Sequence, residues 1–170
     1  VSFSDTAEVE VAPTVDRVAV TDAVNALEAG GGTALNDAVI LTTEQLGSEG
    51  SRNVVLLSDG NDADSQASGK QARQVLANSG VVLDAVSLGE GSQEKSLAAL
   101  AEAGNGSVVT TTSSDALTAA FESAARTVAA QLSVTSEVPA GVEAGTVEMT
   151  VAALVGDAPI TDSTATLITL

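Results

Sequence analysis

Cysteine, histidine, tryptophan and tyrosine are all absent from the 170 residues, and phenylalanine occurs only twice. Without cysteine there can be no disulfide, no zinc–thiolate centre and no thiol nucleophile. Without histidine the commonest general base is gone, and every Ser-His-Asp triad with it. Basic residues are scarce too: 6 Lys and Arg stand against 23 Asp and Glu, a formal net charge of −17. A surface so negative repels phosphate backbones, and there are few aromatic rings on which bases could stack, so no nucleic-acid partner is expected. No apolar run approaches the ~20 residues that a membrane-spanning helix needs. Missing cysteine does not choose a compartment, since cytosolic and exported bacterial proteins can both lack it.

What is present is a core-forming chain. Hydrophobic residues make up 44% of it, too many for a disordered acidic tail. With so few aromatics, the core must be built from Val, Leu, Ile and Ala, and it depends on regular packing of helices and strands. Abundant alanine with little lysine fits a bacterial composition.

The pattern alternates strands with helices. Residues 1–4 and 8–11 read as short strands, the first like a buried strand entered midway. Thr14 or Asp16 can cap a helix running to about residue 29, with Val20, Val24 and Leu27 on one face. Gly30-Gly31-Gly32 stops it, and a second helix carries Leu35, Val39, Thr42 and Leu46 on one face as far as Gly47. The continuous apolar run within 53–58 fits a strand buried on both faces. A helix over 68–79, a strand over 81–88, a helix over 93–103 and a short strand over 107–110 follow. Asp115 then caps a long helix through Leu117, Phe121, Ala124 and Val128. Such alternation implies βαβ crossovers and a mostly parallel sheet, an α/β fold. Near Leu132 the texture turns Thr- and Val-rich without helical periodicity. Strands are expected over 133–139, 146–152 and 164–170, as at the start of a small β-sandwich. The expected units are therefore 1–131 and 132–170.

Chemistry in an open α/β sheet gathers outside the carboxyl ends of the strands. Asp59 follows the 53–58 run directly, and Thr33 presents a hydroxyl just ahead of a helix. A carboxylate and a hydroxyl from adjacent loops suit a hard cation such as Mg²⁺. Read singly, Asp59 is a turn residue and Thr33 a helix N-cap. Other motifs are weaker. Asp59-Gly60-Asn61-Asp62-Ala63-Asp64 departs from a calcium loop at the third acidic position and the glycine, and reads as an acidic loop. Gly89-Glu90-Gly91 lacks the third glycine of a dinucleotide loop. Asn105-Gly106-Ser107 is a formal sequon that reads as a turn; Asp5 reads first as a turn residue, with tuning of the metal edge as the alternative.

Taken together, Val-Ser-Phe-Ser-Asp at the start, Gly31-Gly32-Thr33-Ala34-Leu35 and Val54-Val55-Leu56-Leu57-Ser58-Asp59-Gly60 resemble a von Willebrand factor type A domain in order and spacing. Asp84-Ala85-Val86-Ser87-Leu88-Gly89 and the closing helix extend the resemblance over residues 1–131. It implies a doubly wound, Rossmann-like, mostly parallel sheet with helices on both faces, followed here by a β-sandwich-like segment. In that family a metal-ion-dependent adhesion site combines an Asp-x-Ser-x-Ser loop, a Thr and an Asp. Thr33 and Asp59 match the last two. The resemblance implies that the first strand, that loop and the first helix precede Val1. Strands 1–4 and 54–58 should then face a gap. The implied cation is Mg²⁺, held weakly or not at all by this chain alone.

The leading expectation is a non-enzymatic, metal-ion-dependent protein-binding module, for adhesion or scaffolding, of a bacterial extracytoplasmic protein. A partner's carboxylate would complete the coordination of the metal, and a membrane anchor would lie outside this segment. The alternative is a type A subunit of a membrane secretion or pilus-type machine. A metal-dependent hydrolase comes last, because the carboxylates show no paired spacing that would supply a base.

Overall fold

Two short strands open the chain in the computed structural model, Ser2–Phe3 (β1) and Ala7–Glu8 (β2), paired antiparallel with Phe3 opposite Ala7. The model describes residues 1–59, 61–88, 92–113, 117–119, 121–122, 145–155 and 158–168. β1 and β2 are shorter than the sequence pattern suggests because a tight turn, closed by the Ser4 amide on the Thr6 carbonyl at 2.9 Å, uses up the residues between them.

Helix α1 (Arg17–Asn25) starts where the capping logic places it. The Asp16 carboxylate accepts from the amides of Val18 and Ala19 at 2.9 and 3.2 Å, so the cap is Asp16 rather than Thr14. The helix ends at Asn25, short of residue 29, with Ala26 as its C-cap. Its apolar face is open: Val18 is 68% exposed, Val24 60% and Val20 43%, and Leu27 just beyond the helix is exposed as well.

Helix α2 (Leu35–Gln45) buries Leu35, Ala38 and Val39, with Thr42 and Leu46 half-buried beside them. Strand β3 (Asn53–Ser58), helix α3 (Gly69–Ser79), strand β4 (Val82–Leu88), helix α4 (Ser92–Ala103) and strand β5 (Val108–Thr111) then alternate as expected. The three strands form one parallel sheet in the order β3-β4-β5, with Leu57 opposite Val86 and Val86 opposite Val109. Parallel neighbours require crossovers, and α3 and α4 supply them. Ser68 and Gln71 close a reciprocal capping box on α3, and Gly80 ends that helix at φ +69°, a conformation open to glycine.

The core is aliphatic, as composition demands. Leu35, Leu76, Leu83, Leu97 and Leu100 are almost wholly excluded from water and pack with Val39, Ala72 and Val81. One expectation needs correction. β3 is not buried along both faces; only Leu56 and Ser58 are fully covered, and the rest is half-buried. The reason is a cavity of about 650 Å³ bordered by β3 residues together with Val1 and Phe3. Among the described residues β1 and β3 belong to different sheets and do not pair.

The turn after α4 shows why it needs its glycines. Asn105 takes φ +51°, and a Cβ on Gly106 would overlap the Leu83 carbonyl oxygen. The Asp84 carboxylate holds Ser107 by its amide at 2.9 Å and its hydroxyl at 2.8 Å. The sequon at 105–107 is thus a structured turn. Residues 117–119 and 121–122 are helical, whereas Asp115, Ala124 and Val128 of the long expected helix lie outside the described residues. So do Gly89-Glu90-Gly91 and the expected strand at 133–139.

The chain separates into two units, Val1–Gln131 and Leu132–Leu170. In the second, β6 (Gly145–Val155) and β7 (Ala158–Ile168) form an antiparallel hairpin with Val155 opposite Ala158. β7 begins at Ala158, earlier than the expected strand over 164–170, and so includes Pro159 opposite Leu154. Proline at the second position of a strand with an open edge breaks no interior ladder bond.

Candidate functional site

Thr33 and Asp59 reach the same place from two directions. Asp59 is the residue after β3, exposed at that strand's carboxyl end, and Thr33 precedes α2 by a single residue, half-buried. Both line one cavity of about 440 Å³, together with Phe3, Gly31, Ser58 and Leu88. Leu88 closes β4, so the cavity lies over the carboxyl ends of two neighbouring parallel strands, where open α/β sheets gather their ligands.

Thr33 is not the N-cap of α2. That position belongs to Ala34, whose side chain can accept nothing. A helix start leaves several amides without partners inside the helix, so something else must take them. The loop after Asp59 does so. The Asp62 carboxylate accepts from the Asn36 amide at 3.0 Å, and the Ser65 hydroxyl accepts from the Asp37 amide at 3.1 Å while donating to Asp62. In return the Asp37 carboxylate accepts the amides of Gln66 and Ala67, each at 2.9 Å. The acidic loop is therefore a cap delivered from a distance, with the Asp62 carboxylate turned to a backbone amide of α2. Negative groups at a helix N-terminus also sit favourably in its dipole.

The segment before α2 is fastened residue by residue. Gly32 donates its amide to the Asp5 carboxylate at 2.6 Å, Thr33 to Asp64 at 2.7 Å, and Ala34 to the Ser4 carbonyl at 2.8 Å. The Thr33 carbonyl accepts from the amides of Ala63 and Asp64 at 3.0 and 3.3 Å. Its backbone is committed in this way where Thr33 borders the cavity. Gly31 sits at φ +77°, and a Cβ on Gly32 would overlap the Asp64 carboxylate. The triple glycine is thus more than a helix stop. It lets two carboxylates close on the loop.

Of the supporting groups, Asp5 was already a candidate for tuning the site, whereas sequence reasoning missed Asp37, Asp62, Asp64 and Ser65. One signal was available. A helix entered through Ala34-Leu35 has no acceptor of its own, so the acidic residues nearest in the fold are the natural donors of a cap.

As a donor set, Thr33 and Asp59 offer one hydroxyl and one carboxylate, both hard oxygen ligands. Among the described residues no three His, Cys, Asp or Glu side chains are grouped as metal ligands. None of the described helices is long and apolar enough to cross a membrane.

Comparison with known proteins bears on the family and the fold. Residues 1–61 match the family model of the von Willebrand factor type A domain. No protein of curated function matches the chain in sequence. Among solved structures, a von Willebrand factor type A protein from Catenulispora acidiphila is 26% identical, with a TM-score of 0.57 over 64% of this chain. The match covers 26% of that protein, so the chain spans about a quarter of its length. The conserved hypothetical protein BatB from Bacteroides thetaiotaomicron is similar at a TM-score of 0.61 and 17% identity, over 76% of this chain and 77% of its own. An aerotolerance-related membrane protein from Bacteroides fragilis is similar at 0.57 and 19%, over 73% and 76%. The last two likenesses concern the fold. The family match covers the segment that carries Thr33 and Asp59, and with the βαβ order of the first unit it makes that unit similar to a von Willebrand factor type A domain, matched in sequence over residues 1–61.

Proposed function

We propose that this domain is a metal-ion-dependent protein-binding module of a bacterial extracytoplasmic protein. The observation that carries the reading is the convergence of Thr33 and Asp59 on one cavity at the carboxyl ends of β3 and β4. A carboxylate and a hydroxyl fit Mg²⁺, which takes oxygen ligands in octahedral geometry and keeps several waters. Bound there, the cation would supply an open coordination position for an acidic side chain of a partner protein. That chemistry suits a chain without histidine, cysteine or tryptophan, because the attraction comes from the metal rather than from an aromatic hot spot.

The domain's own residues do the positioning. Asp59 brings negative charge to the strand end, and Thr33 brings a neutral oxygen from a loop whose backbone is held on both sides. The role is binding rather than turnover. The membrane description of the Bacteroides fragilis protein favours a membrane-associated setting, with the anchor elsewhere in the protein.

Calorimetry on the full-length protein tests the proposal. Mg²⁺ should bind, and Asp59→Ala should abolish that binding together with capture of an acidic peptide. Equal Mg²⁺ binding by wild type and Asp59→Ala would remove Asp59 from the mechanism.

A further inference from the structure

We propose that Asp64 and Asp5 are positioning residues that hold the Thr33 hydroxyl at the metal site. The inference rests on the reading of Thr33 and Asp59 as ligands and adds the groups that make one of them effective. Asp5 and Asp64 stand behind the residues that line the cavity, with a carboxylate oxygen of each already engaged by a backbone amide. Each acts on the backbone of the loop that carries Thr33.

Three successive amides, those of Gly32, Thr33 and Ala34, are each taken by a different acceptor. Two of those acceptors are carboxylates, and charge-assisted bonds to a carboxylate are stronger than neutral ones. Asp64 also grips from its own backbone, since its amide donates to the Thr33 carbonyl while its side chain accepts the Thr33 amide. The peptide groups on both sides of Thr33 are therefore locked, and with them the direction in which its Cα–Cβ bond points.

The grip needs glycine on its inner side. A Cβ on Gly32 would overlap the Asp64 carboxylate, and a Cβ on Gly31 would come within 3.1 Å of an Asp5 oxygen. A triple-glycine loop left to itself would sample many conformations and present a hydroxyl poorly. Here the glycines allow close approach and the two aspartates remove the freedom that comes with them. Asp64 lies only five positions after Asp59, so the chain that leaves the carboxylate ligand also fixes the hydroxyl ligand. One short loop sets both.

The test is a double-mutant cycle on the full-length protein, read by Mg²⁺ calorimetry and by amide hydrogen exchange without metal. Asp64→Ala should weaken Mg²⁺ binding by about tenfold, the lower end expected for groups that orient a metal ligand. It should also speed exchange of the Gly32 and Thr33 amides while leaving the Leu83 amide, bonded to Gly104 in the core, protected as before. Asp64→Asn keeps an oxygen that can accept from Thr33 and should restore most of the affinity. In a Thr33→Ala background, Asp64→Ala should cost nothing further, because the residue it positions has no hydroxyl. An equal loss in both backgrounds, or an Asn variant as weak as the Ala variant, overturns the inference by showing that the charge of Asp64 acts directly. Unchanged binding in Asp64→Ala overturns it as well and leaves the reading of the site intact. Unchanged binding in Thr33→Ala instead brings down that reading, and this inference with it.

Discussion

Asp37 and Ala67 are joined by a 2.9 Å hydrogen bond from the Ala67 amide to the Asp37 carboxylate, which ties the first turn of α2 to the residue before the N-cap of α3. The other Asp37 oxygen accepts from Gln66, and the Asp37 amide in turn donates to Ser65. Capping normally runs along one helix; here the loop that caps α2 is itself held by α2 just before it enters α3, which has its own capping box. Any change in the loop therefore reaches both helices, and through α2 the threonine ahead of it.

Removing the Asp37 carboxylate should be felt in stability. Asp37→Ala leaves two amides without their charged acceptor, at a cost of about 1–3 kcal/mol where water cannot fully replace it. Urea unfolding should show a lower midpoint with an unchanged slope, and Asp37→Asn should lie between the variant and the wild type.

Gly106→Ala should destabilise more than its one added methyl group suggests. The new Cβ would collide with the Leu83 carbonyl, a backbone atom on β4 that cannot swing aside. An overpacked site of this kind costs about 1–3 kcal/mol. Thermal melts should place Gly106→Ala well below Gly50→Ala in the contrast with most weight. Gly50 has open space around its Cβ position, and only its φ of +72° resists substitution.

Leu83→Ala probes the aliphatic core. The residue is fully buried among neighbours that include Leu97 and Leu100, and β4 lies in the middle of its sheet. Truncation should cost about 2–5 kcal/mol, the range for buried leucines whose surroundings relax only in part. Chemical denaturation measures it directly, and a cost under 1 kcal/mol would show that the core collapses around the cavity.

Asp59→Ala should separate binding from folding. Asp59 is exposed and follows the last residue of β3, so the metal-free melting temperature should stay the same. In the full-length protein, Mg²⁺ at a hundred times its dissociation constant should add about 2.7 kcal/mol to wild-type stability and nothing to the variant. Equal stabilisation of both by Mg²⁺ would mean that the cation binds elsewhere.

Much of the fold was legible along the chain. The run Val54-Val55-Leu56-Leu57, the spacing of Leu97 and Leu100, and Gly80 after 68–79 each fix an element locally, and each lies where the pattern puts it. The acceptor side chain of Asp16 likewise marked the start of α1. The end of α1 was less legible, because nothing between Asn25 and Gly30 breaks a helix by itself. Covering of its apolar face could not be read at all; Val24 and Leu27 have helical spacing whether or not another surface meets them.

The sequence by itself determined an aliphatic α/β chain, a strand that ends just before Asp59, a threonine at the mouth of a helix and a strongly negative net charge. These follow from composition, periodicity of apolar residues and local capping, all short-range properties. Only the tertiary structure decided what surrounds Thr33. Asp5 and Asp64 lie 27 and 31 residues from the amides they accept, and Asp62 lies 26 from Asn36. A hydrogen bond over such a separation exists only once the sheet and helices have brought the segments together, and no local pattern records which carboxylate will arrive.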